Sequence, residues 1–63
     1  SREYARSLFV VEDMKAGDVL TAQNIRSIRP GNGLAPKYLN EVLGRKVEIS
    51  VEKGTPLSWD LMA

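Results

Sequence analysis

Apolar residues occur along the chain in short bursts, each closed by Gly, Pro or a polar cluster. Ser7-Leu8-Phe9-Val10-Val11 is rich in β-branched and aromatic side chains and predicts a short buried strand. Residues 14–18 follow as a turn with Gly17 at positive φ, after which Val19 and Leu20 re-enter the core. Thr21 stands where a helix N-cap belongs, with Asn24 three residues on, so residues 21–25 read as a single helical or 3₁₀ turn. Residues 25–29 read as a second strand. Pro30 ends it or places it at an edge, because proline cannot donate to a ladder. After the loop Gly31-Asn32-Gly33, Pro36 opens the one helix at its first position. Tyr38 and Val42 share a face of it, as do Leu39 and Leu43, while Lys37, Asn40 and Glu41 face away and Gly44 follows the last turn. Val47, Ile49 and Val51 alternate with Glu48, Ser50 and Glu52, the signature of a half-buried strand. Lys53-Gly54-Thr55-Pro56 turns the chain, and Ser58 is placed to cap a last turn through Met62.

The pattern repeats within the chain. Met14, Gly17, Leu20, Thr21 and Ile25 align at a constant offset with Val51, Gly54, Leu57, Ser58 and Met62. Each copy is an apolar residue, a turn glycine, an apolar residue, a hydroxyl and a closing apolar residue. Neither copy can bury its apolar face alone, so the two are expected to pack on each other about a pseudo-twofold. The fold class that follows is mostly β and compact, with short strands, 3₁₀ turns and one short helix.

Composition narrows the function. A chain of 63 residues makes one domain and buries only about 60% of its unfolded surface. With 43% hydrophobic and 27% charged residues it is globular rather than disordered. The absence of Cys excludes disulfides, thiolate metal sites and a cysteine nucleophile, and the absence of His removes the usual general base and any Ser–His–Asp triad. Net charge is +1 with the signs interspersed, which argues against a nucleic-acid surface. No run is long and apolar enough to span a bilayer, and no segment reads as a secretory signal. Residues 1–6 are polar and mixed and read as a linker, with the domain occupying 7–63. The chain starts at Ser1 without Met, so it is read as a piece of a longer protein.

A self-sufficient active site is hard to assemble from what is left. Glu12 and Asp13 are adjacent but read as solvated turn residues beside Lys15. Ser7, Ser27, Ser50 and Ser58 have no His to activate them, and Lys15, Lys46 and Lys53 sit at turns or strand ends. Gly31-x-Gly33 lacks the third glycine and the strand-then-helix setting of a dinucleotide fingerprint. The unusual stretch is Ser27-Ile28-Arg29-Pro30-Gly31-Asn32-Gly33-Leu34-Ala35-Pro36. It sets a guanidinium, a planar fork of donors suited to a carboxylate, phosphate or amide oxygen, beside a rigid Pro and flexible glycines. On its own this reads equally as a functional Arg on a supported loop and as a surface Arg in an ordinary turn.

The order Arg6-Ser7-Leu8-Phe9-Val10-Val11-Glu12-Asp13-Met14-Lys15-Ala16-Gly17, then Leu20-Thr21, then Asn24-Ile25-Arg26-Ser27-Ile28-Arg29-Pro30-Gly31 resembles a known family. Gly33-Leu34, Pro36-Lys37-Tyr38, Leu43-Gly44-Arg45-Lys46 and Lys53-Gly54-Thr55-Pro56-Leu57 extend the likeness across nearly the whole chain. It is similar to the C-terminal antifreeze-like (SAF) domain of bacterial sialic acid and pseudaminic acid synthases, the nonulosonic acid synthases. The Ser27-Ile28-Arg29-Pro30-Gly31 segment and the Trp59-Asp60-Leu61 ending lean toward the pseudaminic branch.

The resemblance implies a β-clip, or pretzel, fold and a missing partner. In the family an N-terminal TIM-type barrel condenses phosphoenolpyruvate with an acetamido sugar, using a divalent metal (Mn or Mg), to give a keto acid and phosphate. The small domain, inactive alone, helps to close the barrel of the other subunit in a cytoplasmic homodimer. By the same resemblance Arg29 is the substrate-binding residue, with Pro30, Gly31, Asn32 and Gly33 shaping its loop, and this domain itself holds no cofactor. Ile49-Ser50 departs from an Arg-Asp pair common in relatives, which leaves the choice of sugar open. The alternatives are a stand-alone SAF binding module of the pilus or flagellar assembly type and an ice-binding antifreeze-like protein. The charged composition and the Arg-Pro-Gly loop speak against ice binding.

Overall fold

Four consecutive buried side chains, Ser7, Leu8, Phe9 and Val10, make up strand β1 (Ser7–Val10). It pairs antiparallel with β2 (Ile25–Ile28), with Ser7 opposite Ile28 and Val10 opposite Ile25. A 3₁₀ turn, Pro36–Tyr38, runs into a single α-turn, α1 (Leu39–Val42), and a second 3₁₀ turn, Trp59–Leu61, lies near the end of the chain. These features come from a computed structural model that describes residues 6–29 and 31–62. The expectations for residues 1–5, Pro30 and Ala63 lie outside the described residues.

What organises the molecule is less the sheet than the pairing of its two halves. Met14 and Val51, equivalent positions of the repeat, exchange both backbone hydrogen bonds, at 2.7 and 2.8 Å. Around them the bonds come in related pairs. The Val10 N–H donates to Thr55 O at 2.9 Å, and its counterpart Val47 N–H to Asp18 O at 3.0 Å. Gly54 N–H reaches Val10 O as Gly17 N–H reaches Val47 O, and Leu57 N–H reaches Leu8 O as Leu20 N–H reaches Arg45 O. Val11 N–H to Asn24 O is repeated by Glu48 N–H to Leu61 O. Even the β1–β2 pairing of Val10 with Ile25 recurs as the isolated bridge of Val47 with Met62. The pseudo-twofold read from the residue pattern is therefore present bond by bond, and it runs between Met14 and Val51.

The core follows the same symmetry. Val10 and Val47, Met14 and Val51, Leu20 and Leu57, and Ile25 and Met62 are all buried, and Val42 of α1 joins them from outside the repeat. The turn glycines obey it as well. Gly17 has φ +95° and Gly54 +90°, a region that costs any residue with a Cβ, and both turns are closed in kind, by Asp18 N–H on Lys15 O and Thr55 N–H on Glu52 O.

The Thr21 cap forms as expected. Thr21 Oγ1 accepts from Gln23 N–H at 3.2 Å, while Asn24 Oδ1 accepts from Thr21 N–H at 2.8 Å, a reciprocal arrangement of the capping-box kind. Four local expectations are corrected. Val19, expected to re-enter the core with Leu20, is 40% exposed. The helix from Pro36 is not uniform, because Tyr38 at φ −90°, ψ 3° separates a 3₁₀ turn from the α-turn. Ser58 occupies the N-cap position of the final turn, yet its hydroxyl donates to the Asp60 carboxylate instead of accepting a backbone N–H. Residues 47–51 are not a regular half-buried strand. Val47 and Val51 are buried, but the chain bends at Glu48 and Ile49, and Ile49 is 52% exposed. The repeat explains this, since the position equivalent to Ile49 is Glu12, also exposed at a bend.

The repeat is broken between residues 26 and 44, and the two ends of the molecule differ accordingly. Leu8 is fully buried, whereas its counterpart Arg45 is exposed. Arg45 lies over the Trp59 ring at 5.5 Å, Trp59 meets Tyr38 edge-on at 5.5 Å and 75°, and Lys37 stands 5.2 Å from the Tyr38 ring. This aromatic and cationic cluster ties the last 3₁₀ turn to the first.

Two stability measurements check this account. In urea melts, Gly17→Val and Gly54→Val each lower stability by more than about 1 kcal/mol, and two variants as stable as the parent would remove the turn assignments. The space around both positions is open, so the loss comes from the backbone conformation rather than a clash. Trp59→Ala costs about 1–2 kcal/mol, through the lost ring pair and partial burial.

Candidate functional site

The unrepeated segment holds the one cation the sequence singled out. Arg29 follows β2, is exposed, and makes no hydrogen bond to another described residue. Gly31 and Asn32 are exposed beside it, Gly33 is half-buried, and Pro30 lies outside the described residues.

The far side of this loop is fixed by backbone. Leu8 N–H donates to Leu34 O, Leu34 N–H to Leu57 O, and Leu57 N–H to Leu8 O, each at 2.9 Å. These three peptides close a ring of hydrogen bonds that joins β1, the loop exit and the second half of the repeat. Gly33 sits against that ring. A Cβ on it would stand 2.6 Å from Leu8 O and 2.9 Å from Leu57 N, both main-chain atoms that cannot swing away. The glycine is needed here for close approach rather than for an unusual φ. Its N–H donates to Ser7 Oγ at 3.0 Å, and Ser7 is only 1% exposed. On the near side Ser7 is the register partner of Ile28, and the Arg6 guanidinium donates to Ser27 O at 3.2 Å. The loop thus leaves and rejoins the body at one place.

Of the remaining candidates, Asp13 has a structural duty. Asp13 Oδ1 accepts from Lys53 N–H at 2.9 Å and links the two turns, while Glu12 points to solvent. Lys15, Lys46 and Lys53 are exposed, as expected. Among the described residues no group of three or more acidic side chains gathers to hold a metal ion, and the chain has no His or Cys. The described residues enclose no pocket. The residue reading missed Ser7 as an anchor and the Tyr38–Trp59 cluster. For Ser7 the available signal was a hydroxyl inside an otherwise apolar strand. The cluster joins residues far apart in sequence and left no local trace.

Comparison with known proteins agrees with this architecture. The SAF domain family matches residues 5–62. A pseudaminic acid synthase of Helicobacter pylori is 48% identical over 59 residues, which are 94% of this chain and 17% of that protein. A pseudaminic acid synthase of Campylobacter jejuni is 40% identical over 57 residues, 90% of this chain and again 17% of the relative. The chain therefore spans 17% of the length of these relatives. The solution structure of an antifreeze protein like domain from human N-acetylneuraminic acid phosphate synthase superposes with a TM-score of 0.87 over 100% of this chain and 81% of that one, at 22% identity, a likeness of fold. A crystal structure of a spore coat polysaccharide biosynthesis protein from Bacillus subtilis gives a TM-score of 0.86 at 25% identity, over 98% of this chain and 19% of that chain. No helix among the described residues is long and apolar enough to cross a membrane. With its internal pseudo-twofold, its antifreeze-like fold and a family match over nearly its full length, the chain belongs to the SAF domain family.

Proposed function

We propose that this chain is the C-terminal capping domain of a cytoplasmic nonulosonic acid synthase, on the pseudaminic side of that group. The similar synthases support the class of enzyme. The observation that carries the domain's role is the exposed guanidinium of Arg29, without a partner among the described residues, on a loop anchored at both ends. In this reading residues 1–6 lead in from a barrel domain that holds phosphoenolpyruvate and a divalent metal ion. The loop reaches into the barrel of the partner subunit in a homodimer.

Arg29 donates hydrogen bonds to an acetamido or hydroxyl oxygen of the sugar and fixes its orientation toward phosphoenolpyruvate. This is a positioning role, and it moves no proton. Covering the barrel mouth also excludes water, which strengthens the electrostatic interactions inside. The domain supplies neither nucleophile nor base, so alone it performs no reaction and shows no measurable affinity when titrated with the acetamido sugar.

Kinetics of the complete synthase test the assignment. Arg29→Ala raises the apparent KM for the sugar, or lowers turnover, by at least tenfold, about 1.4 kcal/mol or more. The KM for phosphoenolpyruvate changes much less. Because Arg29 is exposed, the same substitution leaves the stability of the 63-residue chain within about 0.5 kcal/mol of the parent. Unchanged sugar kinetics would exclude Arg29 from the site. Sugar binding by the isolated chain would instead favour a stand-alone binding module.

A further inference from the structure

The geometry points to Ser7 as the positioning residue for the Arg29 loop, acting as a clamp that holds its two ends together. The inference rests on the capping role proposed for Arg29 and names the side chain that makes the role possible. Among the described residues Ser7 is the buried polar one, set in an otherwise apolar core. Its backbone lies opposite Ile28, the residue before Arg29, while its hydroxyl accepts the N–H of Gly33 at 3.0 Å. One residue therefore touches the strand that enters the loop and the peptide that leaves it.

The surroundings give this contact its effect. Gly33 is pressed against Leu8 O and Leu57 N, and the next residue, Leu34, is locked into the three-peptide ring. With the Ser7 hydroxyl in place, the Gly33 N–H is satisfied and the loop exit is held in this register. Without it, that partly buried N–H has lost its acceptor and is satisfied by moving outward toward water. Such a shift carries the loop, and Arg29 with it, away from its aim. A misplaced donor weakens orientation of the bound sugar even though the donor itself is intact.

The experiment pairs Ser7→Ala with Ser7→Thr, which keeps an acceptor hydroxyl on a side chain suited to a strand. It has two readouts. In the 63-residue chain, amide exchange at Gly33 accelerates at least tenfold in Ser7→Ala relative to Val10 and Val51, and Ser7→Thr restores it. In the complete synthase, Ser7→Ala raises the apparent KM for the acetamido sugar at least fivefold. The KM for phosphoenolpyruvate moves less than twofold, and Ser7→Thr recovers the parent value. Gly33 exchange that follows Val51 in every variant overturns the clamp. So does an unchanged sugar KM in Ser7→Ala where Arg29→Ala raises it. If Arg29→Ala has no effect on the sugar, the capping reading fails, and Gly33 exchange alone still decides whether Ser7 holds the loop. Should Ser7→Ala not fold, exchange in the parent chain is decisive. A Gly33 amide at least tenfold slower than its intrinsic rate supports the clamp, and one at the intrinsic rate overturns it.

Discussion

Buried peptide groups need partners, and short strands supply few of them. Here the shortage is met by exchanging backbone hydrogen bonds between two copies of the same unit. Met14 and Val51 sit nearest the relating axis, because each is the other's equivalent and they bond to one another. From that reciprocal pair the remaining bonds are laid down in matched sets, and the side chains that flank them, Val10 with Val47 and Leu20 with Leu57, close the core from both sides. The chain is held less by a sheet than by this mutual bracing. The burial of each apolar face requires the other copy to be in place.

The symmetry also shows where it gives way. Residues 26–44 have no counterpart, and they meet the two ends of the molecule differently. Leu34 and Gly33 pack at Leu8, which is fully buried as a result, while the equivalent position at the other end is Arg45, exposed and resting on Trp59. The repeated parts form a frame, and the single unrepeated arm carries the candidate guanidinium and Tyr38, which meets Trp59 of the second copy. Exposed loops on a rigid frame are where recognition tends to be placed.

Much of this was legible in the sequence, because the signals were local or periodic. Gly17 and Gly54 declared their turns, Thr21 and Asn24 their cap, and the constant offset between the two copies declared the pseudo-twofold. What stayed hidden depended on tertiary partners. Ile49 alternates correctly for a strand, but the chain changes partner between Val47, bonded to Asp18, and Val51, bonded to Met14, and the bend between them turns Ile49 outward. Ser58 looked like a cap until Asp60 competed for its hydroxyl. The ring of Leu8, Leu34 and Leu57 lies wholly in the main chain, so no pattern of side chains could announce it. For Arg29 the residues alone left a functional loop and an ordinary turn evenly matched. The resemblance favoured the first, and an exposed side chain with no partner among the described residues is what that reading requires.

The placement of that side chain depends on strand register as much as on the loop. Arg29 continues directly from β2, whose pairing with β1 sets Ser7 against Ile28. A slip of one residue would send the inward side chains of β2 to the opposite face. It is resisted by Ile25, buried opposite Val10, and by Arg6 on Ser27 O. The same β1 strand sets the entry of the loop through Ser7 and Ile28, and its exit through Ser7 with Gly33 and Leu8 with Leu34. Both ends thus refer to one strand, and errors at the two ends do not accumulate independently. A small domain with a thin core can in this way aim a long, flexible cation. The strand that carries the aim is itself braced by the second copy, through Leu57 on Leu8 and Thr55 on Val10. The pseudo-twofold that stabilises the fold is therefore also what steadies the loop.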